Sequence, residues 1–180
     1  PSVVSRVATP PTDAPPPPPR RSNKPSLPVN TATDLNAMIT VDIGNDQPSV
    51  MTVTEVRGLI DSKREQIVDA RAAARFRGEA PEPRAGLRGG HMPGAYNLPY
   101  NELLDPTAGT MLPADRLAAR IAASGIDPSK KVTASCGSGV TACVIGPALY
   151  LTGSPEAAIY DGSWTEWGNL VGVPIAKGEE

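Results

Sequence analysis

The chain has 180 residues, of which 39% are hydrophobic, 20% charged and only 4% aromatic, with a formal net charge of −2. That length supports one well-formed core, and the mild acidity, which deepens once the basic N-terminal tail (Arg6, Arg20, Arg21 and Lys24 against Asp13) is set aside, argues against a nucleic-acid-binding surface. Two cysteines seven positions apart and one histidine, His91, give no zinc spacing and no disulfide framework; with no signal peptide and no apolar run of bilayer length, a reducing cytoplasm is the expected compartment.

Ten of the 21 prolines lie in the first 28 residues, including the run Pro15 to Pro19. Such a segment has too little apolar surface to offset its ordering entropy. Residues 1–50 are therefore read as a Pro-rich linker or extended connector, with an edge strand expected from its second half, and residues 51–180 as the folded domain. Thr52-Val53-Thr54-Glu55 fits a capping box, and Val53, Val56, Leu59 and Ile60 form a helical stripe behind it. A strand is expected at Gln66–Asp69, then a short helix and a long surface loop across 71–88, where charge alternates with Pro81 and Pro83. Loops of that length are commonly functional.

Gly94 to Leu98 reads as a second strand, and Pro113 to Ser124 as a helix with proline at its start and Gly125 beyond its end. Lys131 to Ser135 is the expected central buried strand. The segment from Gly139 to Leu151 is apolar nearly all round and reads as a buried helix, kinked where Gly146-Pro147 interrupts it. Ala157 to Tyr160 supplies a further strand, and Trp164 to Asn169 a terminal turn. Strands alternating with helices give an α/β domain with a mainly parallel central sheet flanked by helices, in which ligands bind beyond the carboxyl ends of the strands.

The strand ending at Ser135 runs directly into Cys136-Gly137-Ser138-Gly139-Val140-Thr141. A cysteine placed between a strand end and a glycine-bearing turn meets unpaired backbone N–H groups and the positive end of a helix dipole, both of which favour thiolate. The competing reading is an inert apolar core cysteine. Cys143, two helical turns farther on, is expected to be such a buried thiol. His91, at a turn before Met92-Pro93-Gly94, is expected to brace a loop; Asp69 and Arg71 to form an ion pair; Trp164 and Trp167 to cover the core.

Taken in order, Ile67-Val68-Asp69-Ala70-Arg71, Arg75-Phe76-Arg77-Gly78, Glu82-Pro83-Arg84-Ala85-Gly86, Gly90-His91-Met92-Pro93-Gly94-Ala95, the Cys136 loop and Asp161-Gly162-Ser163-Trp164 resemble the C-terminal catalytic domain of tandem rhodanese sulfurtransferases over roughly residues 52–170. The uncharged loop is similar to that of the 3-mercaptopyruvate sulfurtransferase type, whereas thiosulfate sulfurtransferases typically carry arginine and lysine at the positions of Gly137 and Ser138. The resemblance implies a rhodanese fold and transfer of sulfur from 3-mercaptopyruvate through a persulfide on Cys136 to a thiol acceptor such as thioredoxin, or to cyanide. It assigns substrate binding to Arg75 and Arg84, whose guanidinium groups suit a carboxylate. The N–H groups of Gly137, Ser138, Gly139, Val140 and Thr141 would cradle thiolate and persulfide, with Ser138 at the substrate thiol or in a proton relay and Thr141 bracing the loop. No metal or cofactor is implied.

The alternatives are a thiosulfate sulfurtransferase and a catalytically idle rhodanese-like interaction module. A phosphatase of the Cys-x5-Arg type is disfavoured, because Ala142 stands where that chemistry needs arginine. Tandem members carry a further N-terminal rhodanese domain. The chain is accordingly expected to be either the C-terminal half of a longer or cleaved protein, or a single-domain variant with a more open pocket; the Pro-rich stretch is then an interdomain linker or a polyproline ligand.

Overall fold

The computed structural model describes residues 50–154 and 157–178, so the linker expected over residues 1–50 lies outside them apart from Val50. Five parallel strands form one sheet: β1 (Val50–Met51), β2 (Gln66–Asp69), β3 (Tyr96–Asn97), β4 (Val132–Ser135) and β5 (Ala157–Tyr160), in the order β1-β5-β4-β2-β3. β2 and β4 are buried along their whole lengths and pair from Gln66–Val132 to Asp69–Ser135. Their apolar residues alternate between two cores, as the period of two in a strand requires. Val68, Val132 and Ala134 face a core built with Leu117, Ile121, Ile145 and Leu149, while Ile67 faces one built with Val56, Leu59, Phe76, Trp164 and Trp167.

Helices α1 (Val53–Ser62) and α3 (Ala114–Ala123) follow the expected segments. The capping box of α1 is complete: the Thr52 hydroxyl accepts from the Glu55 N–H, and the Glu55 carboxylate accepts from the Thr52 N–H at 2.8 Å. α3 starts directly after Pro113 and stops before Gly125, whose φ of 76° glycine adopts without strain. α2 (Ala73–Phe76) is the short helix before the long loop. The second expected strand shrinks to Tyr96–Asn97 at the sheet edge, with Gly94 turning the chain just before it. The C-terminal turn is in fact a helix, α5 (Ser163–Trp167).

The apolar run after Cys136 departs from expectation. It is a 3-10 turn over Thr141–Val144 followed by α4 (Ile145–Leu151). Pro147 is the third residue of α4, where a backbone N–H has no partner within the helix, so no hydrogen bond is lost and no kink is required. Nor is the run buried all round. Ala142, Ile145, Ala148 and Leu149 face the core, while Val140, Cys143, Pro147 and Tyr150 face outward, so Cys143 is an exposed thiol and not a core one.

The sheet order places a switch point at the site. From β2 the chain passes to β3 on one side, and from β4 to β5 on the other, leaving a crevice beyond the adjacent carboxyl ends of β2 and β4. Among the described residues no helix is long and apolar enough to cross a membrane.

Candidate active site

That crevice is a cavity of about 620 Å³ lined by the residues following β2 (Ala70, Arg71, Arg75), by Glu82 and Arg84 of the long loop, and by Cys136 and its turn. Cys136 itself is almost fully covered. Burial pushes its thiol pKa up, but hydrogen bonds from the Thr141 hydroxyl and from the backbone N–H groups of Ser138, Ala142 and Thr141 outweigh it and hold the thiol below its ordinary value. Thr141 stands on the cavity wall beside this thiol.

The cradle differs from the expected one. Gly139 directs its N–H not at the sulfur but at the Ser163 hydroxyl, 3.0 Å away, and it does not line the cavity. Its φ of 82° and the Asp161 side chain and carbonyl, which would meet an added Cβ within 2.9 Å, explain why glycine stands there. Ala142 takes its place as a donor. Gly137, Ser138, Val140 and Thr141 all lie on the cavity wall.

Ser163 had no role assigned from sequence, yet it organises the turn. Its fully buried hydroxyl accepts from the Cys136 N–H at 3.1 Å as well as from Gly139, and donates to the Tyr160 carbonyl at 2.8 Å. To reach all three, its backbone sits at φ 49°, a left-handed conformation that costs an L-residue about 1–2 kcal/mol. The next two N–H groups of α5 complete the attachment: Trp164 donates to the Cys136 carbonyl and Thr165 to the Gly137 carbonyl, each at 2.9 Å. With those carbonyls turned back onto α5, the N–H groups of Ser138, Thr141 and Ala142 are free to converge on sulfur.

The two arginines reach the same cavity from opposite ends of the loop. Arg75 Nη2 lies against Gly137, 3.1 Å from where a Cβ would stand, so a larger residue at 137 would have to shift the guanidinium. Its Nε and Nη2 both bond Glu82, the latter at 2.5 Å. Arg84, exposed, donates to the Thr165 hydroxyl, which in turn donates to the Gly137 carbonyl at 2.6 Å. Arg71 is buried: its guanidinium grips Asp69 through Nε and Nη2, bonds Glu82 and the Gly90 carbonyl, and lies 4.2 Å from the Trp164 ring. Arg71 thus lines the crevice, with Asp69 buried behind it.

His91 lies away from the cavity. It stacks on Phe76 with ring centroids 3.7 Å apart and bonds the Phe76 carbonyl, while its backbone pairs with Ala176, as a loop brace should. Trp164 and Trp167 are wholly buried, their indole N–H groups on the carbonyls of Arg88 and Pro174.

The model of the rhodanese-like domain matches residues 52–170, most of the chain. The chain belongs to the rhodanese-like domain family. It is 42% identical over 130 residues to the thiosulfate/3-mercaptopyruvate sulfurtransferase 1 of Arabidopsis thaliana, a match covering 72% of this chain and 34% of that one. It is 43% identical over 127 residues to the 3-mercaptopyruvate sulfurtransferase of Escherichia coli, covering 71% and 44% respectively. Among solved structures, the Tum1 protein of Saccharomyces cerevisiae superposes with a TM-score of 0.65 at 38% identity, over 72% of this chain and 47% of that one. This rhodanese-like chain therefore matches less than half the length of each of these relatives.

Proposed function

We propose that this rhodanese-like domain is a sulfurtransferase that takes sulfur from 3-mercaptopyruvate onto Cys136 and passes it to a thiol or to cyanide. The observation that carries this reading is the convergence of hydrogen-bond donors on a cysteine sulfur at the base of a cavity that also holds Arg75 and Arg84. The Cys136 thiolate attacks the substrate sulfur. As the S–S bond forms, the C–S bond breaks and its electron pair stays on carbon as the enolate of pyruvate, which takes up a proton, leaving a persulfide on Cys136. Attack by an acceptor thiolate on the outer sulfur then returns Cys136 as thiolate. Arg75 and Arg84 hold the carboxylate and keto oxygen, Ser138 carries a proton at the cavity wall, and the loop N–H groups stabilise the anionic sulfur throughout.

Thioredoxin or a small cellular thiol fits as acceptor. Because the relatives are longer, we assign to a further rhodanese domain, on the same chain or as a cleaved partner, the role of closing the cavity. Thiosulfate is the second donor, favoured by the name of the Arabidopsis relative, which gives both. An idle interaction module is disfavoured, since a binding surface has no use for a thiol held below its ordinary pKa beside two cavity arginines.

Mixing the protein with an excess of 3-mercaptopyruvate and no acceptor tests the reading. A rapid burst of one pyruvate per chain, ahead of slower turnover in which the donor's own thiol accepts, is expected from the parent and none from Cys136→Ser; no burst from the folded parent, or an equal burst from the variant, would overturn it.

A further inference from the structure

Glu82 is out of place in a cavity built for anions. It is the one carboxylate among the described residues that line it, and its side chain is only 2% exposed. One oxygen bonds Arg71 at 2.8 Å and Arg75 Nε at 3.3 Å, and the other bonds Arg75 Nη2 at 2.5 Å. Arg71 has little need of it, since Asp69 already neutralises Arg71 and the Gly90 carbonyl takes a further N–H. The charge of Glu82 is thus directed at Arg75. Arg84 meets no carboxylate among the described residues, so the four charged groups on the wall, together with Asp69, leave one positive charge in excess, which the Cys136 thiolate offsets.

We propose that Glu82 sets the charge of the donor that the site accepts, cancelling Arg75 so that a singly charged donor is favoured over a doubly charged one. Discrimination between two anions needs a repulsive element as well as an attractive one, and a buried carboxylate, poorly screened by water, supplies it. A carboxylate monoanion such as 3-mercaptopyruvate feels the repulsion of Glu82 on one charge; a compact dianion such as thiosulfate feels it on two. Arg75 still offers N–H donors for orientation, so Glu82 removes field strength and leaves geometry in place. Glu82 is therefore a specificity and positioning residue, acting through Arg75 and not on the substrate.

The inference rests on the sulfurtransferase reading for its donors, so its test includes a readout that needs no turnover. Pyruvate and inorganic sulfate are used as unreactive probes, each titrated for its protection of Cys136 against iodoacetamide in the parent, Glu82→Gln and Glu82→Asp. Glu82→Gln, which keeps the acceptor oxygen but not the charge, should tighten sulfate relative to pyruvate by about tenfold, the order expected for one unit charge within about 8 Å at an effective dielectric between those of protein and water. Glu82→Asp, which keeps the charge, should stay within about twofold of the parent, and added salt should shrink the gain. The ratio of kcat/KM for thiosulfate over 3-mercaptopyruvate should move in step. Equal changes for both probes in Glu82→Gln would mean that Glu82 only positions Arg75, and would overturn the proposal, as would failure of either anion to protect. If Glu82→Gln does not fold, Asn101→Lys, which adds positive charge on the cavity wall, should raise the sulfate preference in the same direction; an unchanged ratio there is equally contrary. A parent inactive with both donors but shifted in anion protection by Glu82→Gln would sink the sulfurtransferase reading and leave the charge assignment standing.

Discussion

Replacing Ser163 tests how the Cys136 loop is held. Its hydroxyl is the acceptor for two buried backbone N–H groups, those of Cys136 and Gly139. Ser163→Gly deprives both of a partner at about 1–3 kcal/mol each, and recovers about 1 kcal/mol by relieving the left-handed backbone. A net loss of about 3 kcal/mol is expected, read as a lower urea midpoint with an unchanged m value. Ser163→Ala keeps the strain and should be about 1 kcal/mol less stable than the glycine variant. The same substitution loosens the turn that aims Ser138, Thr141 and Ala142 at the sulfur, so the pH midpoint for alkylation of Cys136 should rise as well. A glycine variant within about 0.5 kcal/mol of the parent, with its alkylation midpoint unmoved, would refute the idea that Ser163 holds the loop.

Thr141→Val removes a donor to the sulfur, and losing a charge-assisted hydrogen bond of about 1.5–3 kcal/mol should raise the alkylation midpoint by about one to two pH units. In the parent, where the pKa is lowered, reactivity should climb as pH rises through a midpoint below the free-thiol value of about 8.5 and then level off; a parent midpoint at or above that value would contradict the cradle. Arg84→Ala, at an exposed position, should melt like the parent and lose about ten- to a hundredfold in kcat/KM for 3-mercaptopyruvate; retained activity would exclude a substrate contact. Arg75→Ala should lose activity similarly but also stability, because it takes an ion-pair partner from the buried Glu82, and an unchanged melting temperature would show that pair to be idle. Cys143→Ser should keep most of the turnover, its exposed thiol alkylating in the parent without protection by pyruvate; activity losses equal to those of Cys136→Ser would point to a two-thiol mechanism.

What could be read from the residues alone was whatever is local. Thr52 and Glu55 form their capping box because both partners lie within one turn, and β4 was legible as a β-type run leading into Cys136 and then glycine. The parallel sheet followed from alternation of strand and helix, and Arg75 and Arg84 from motifs set around a loop. What escaped depends on contacts distant in sequence or on backbone direction. Ser163 meets the loop 27 positions away, and only through a positive φ that nothing in Asp161-Gly162-Ser163 announces. Glu82 belongs to the Glu82-Pro83-Arg84 motif, but its hold on Arg75 and Arg71 needs the loop folded back onto the residues that follow β2. The direction of the Gly139 N–H is a property of the turn. The exposure of Cys143 escapes the sequence because its segment is apolar almost throughout, so periodicity does not tell which face meets the core; the sheet decides it, turning Ala142 and Ile145 inward and Cys143 out.

Cys136 is the proposed carrier of the sulfur. Intact mass spectrometry of the protein after brief incubation with 3-mercaptopyruvate and removal of excess donor tests it most directly. A mass gain of one sulfur atom, located by peptide mapping on Cys136, absent from Cys136→Ser and removed by dithiothreitol with return of the thiol, is the predicted result. A folded parent that gains no mass, or a gain that maps to Cys143 or survives dithiothreitol, would contradict it.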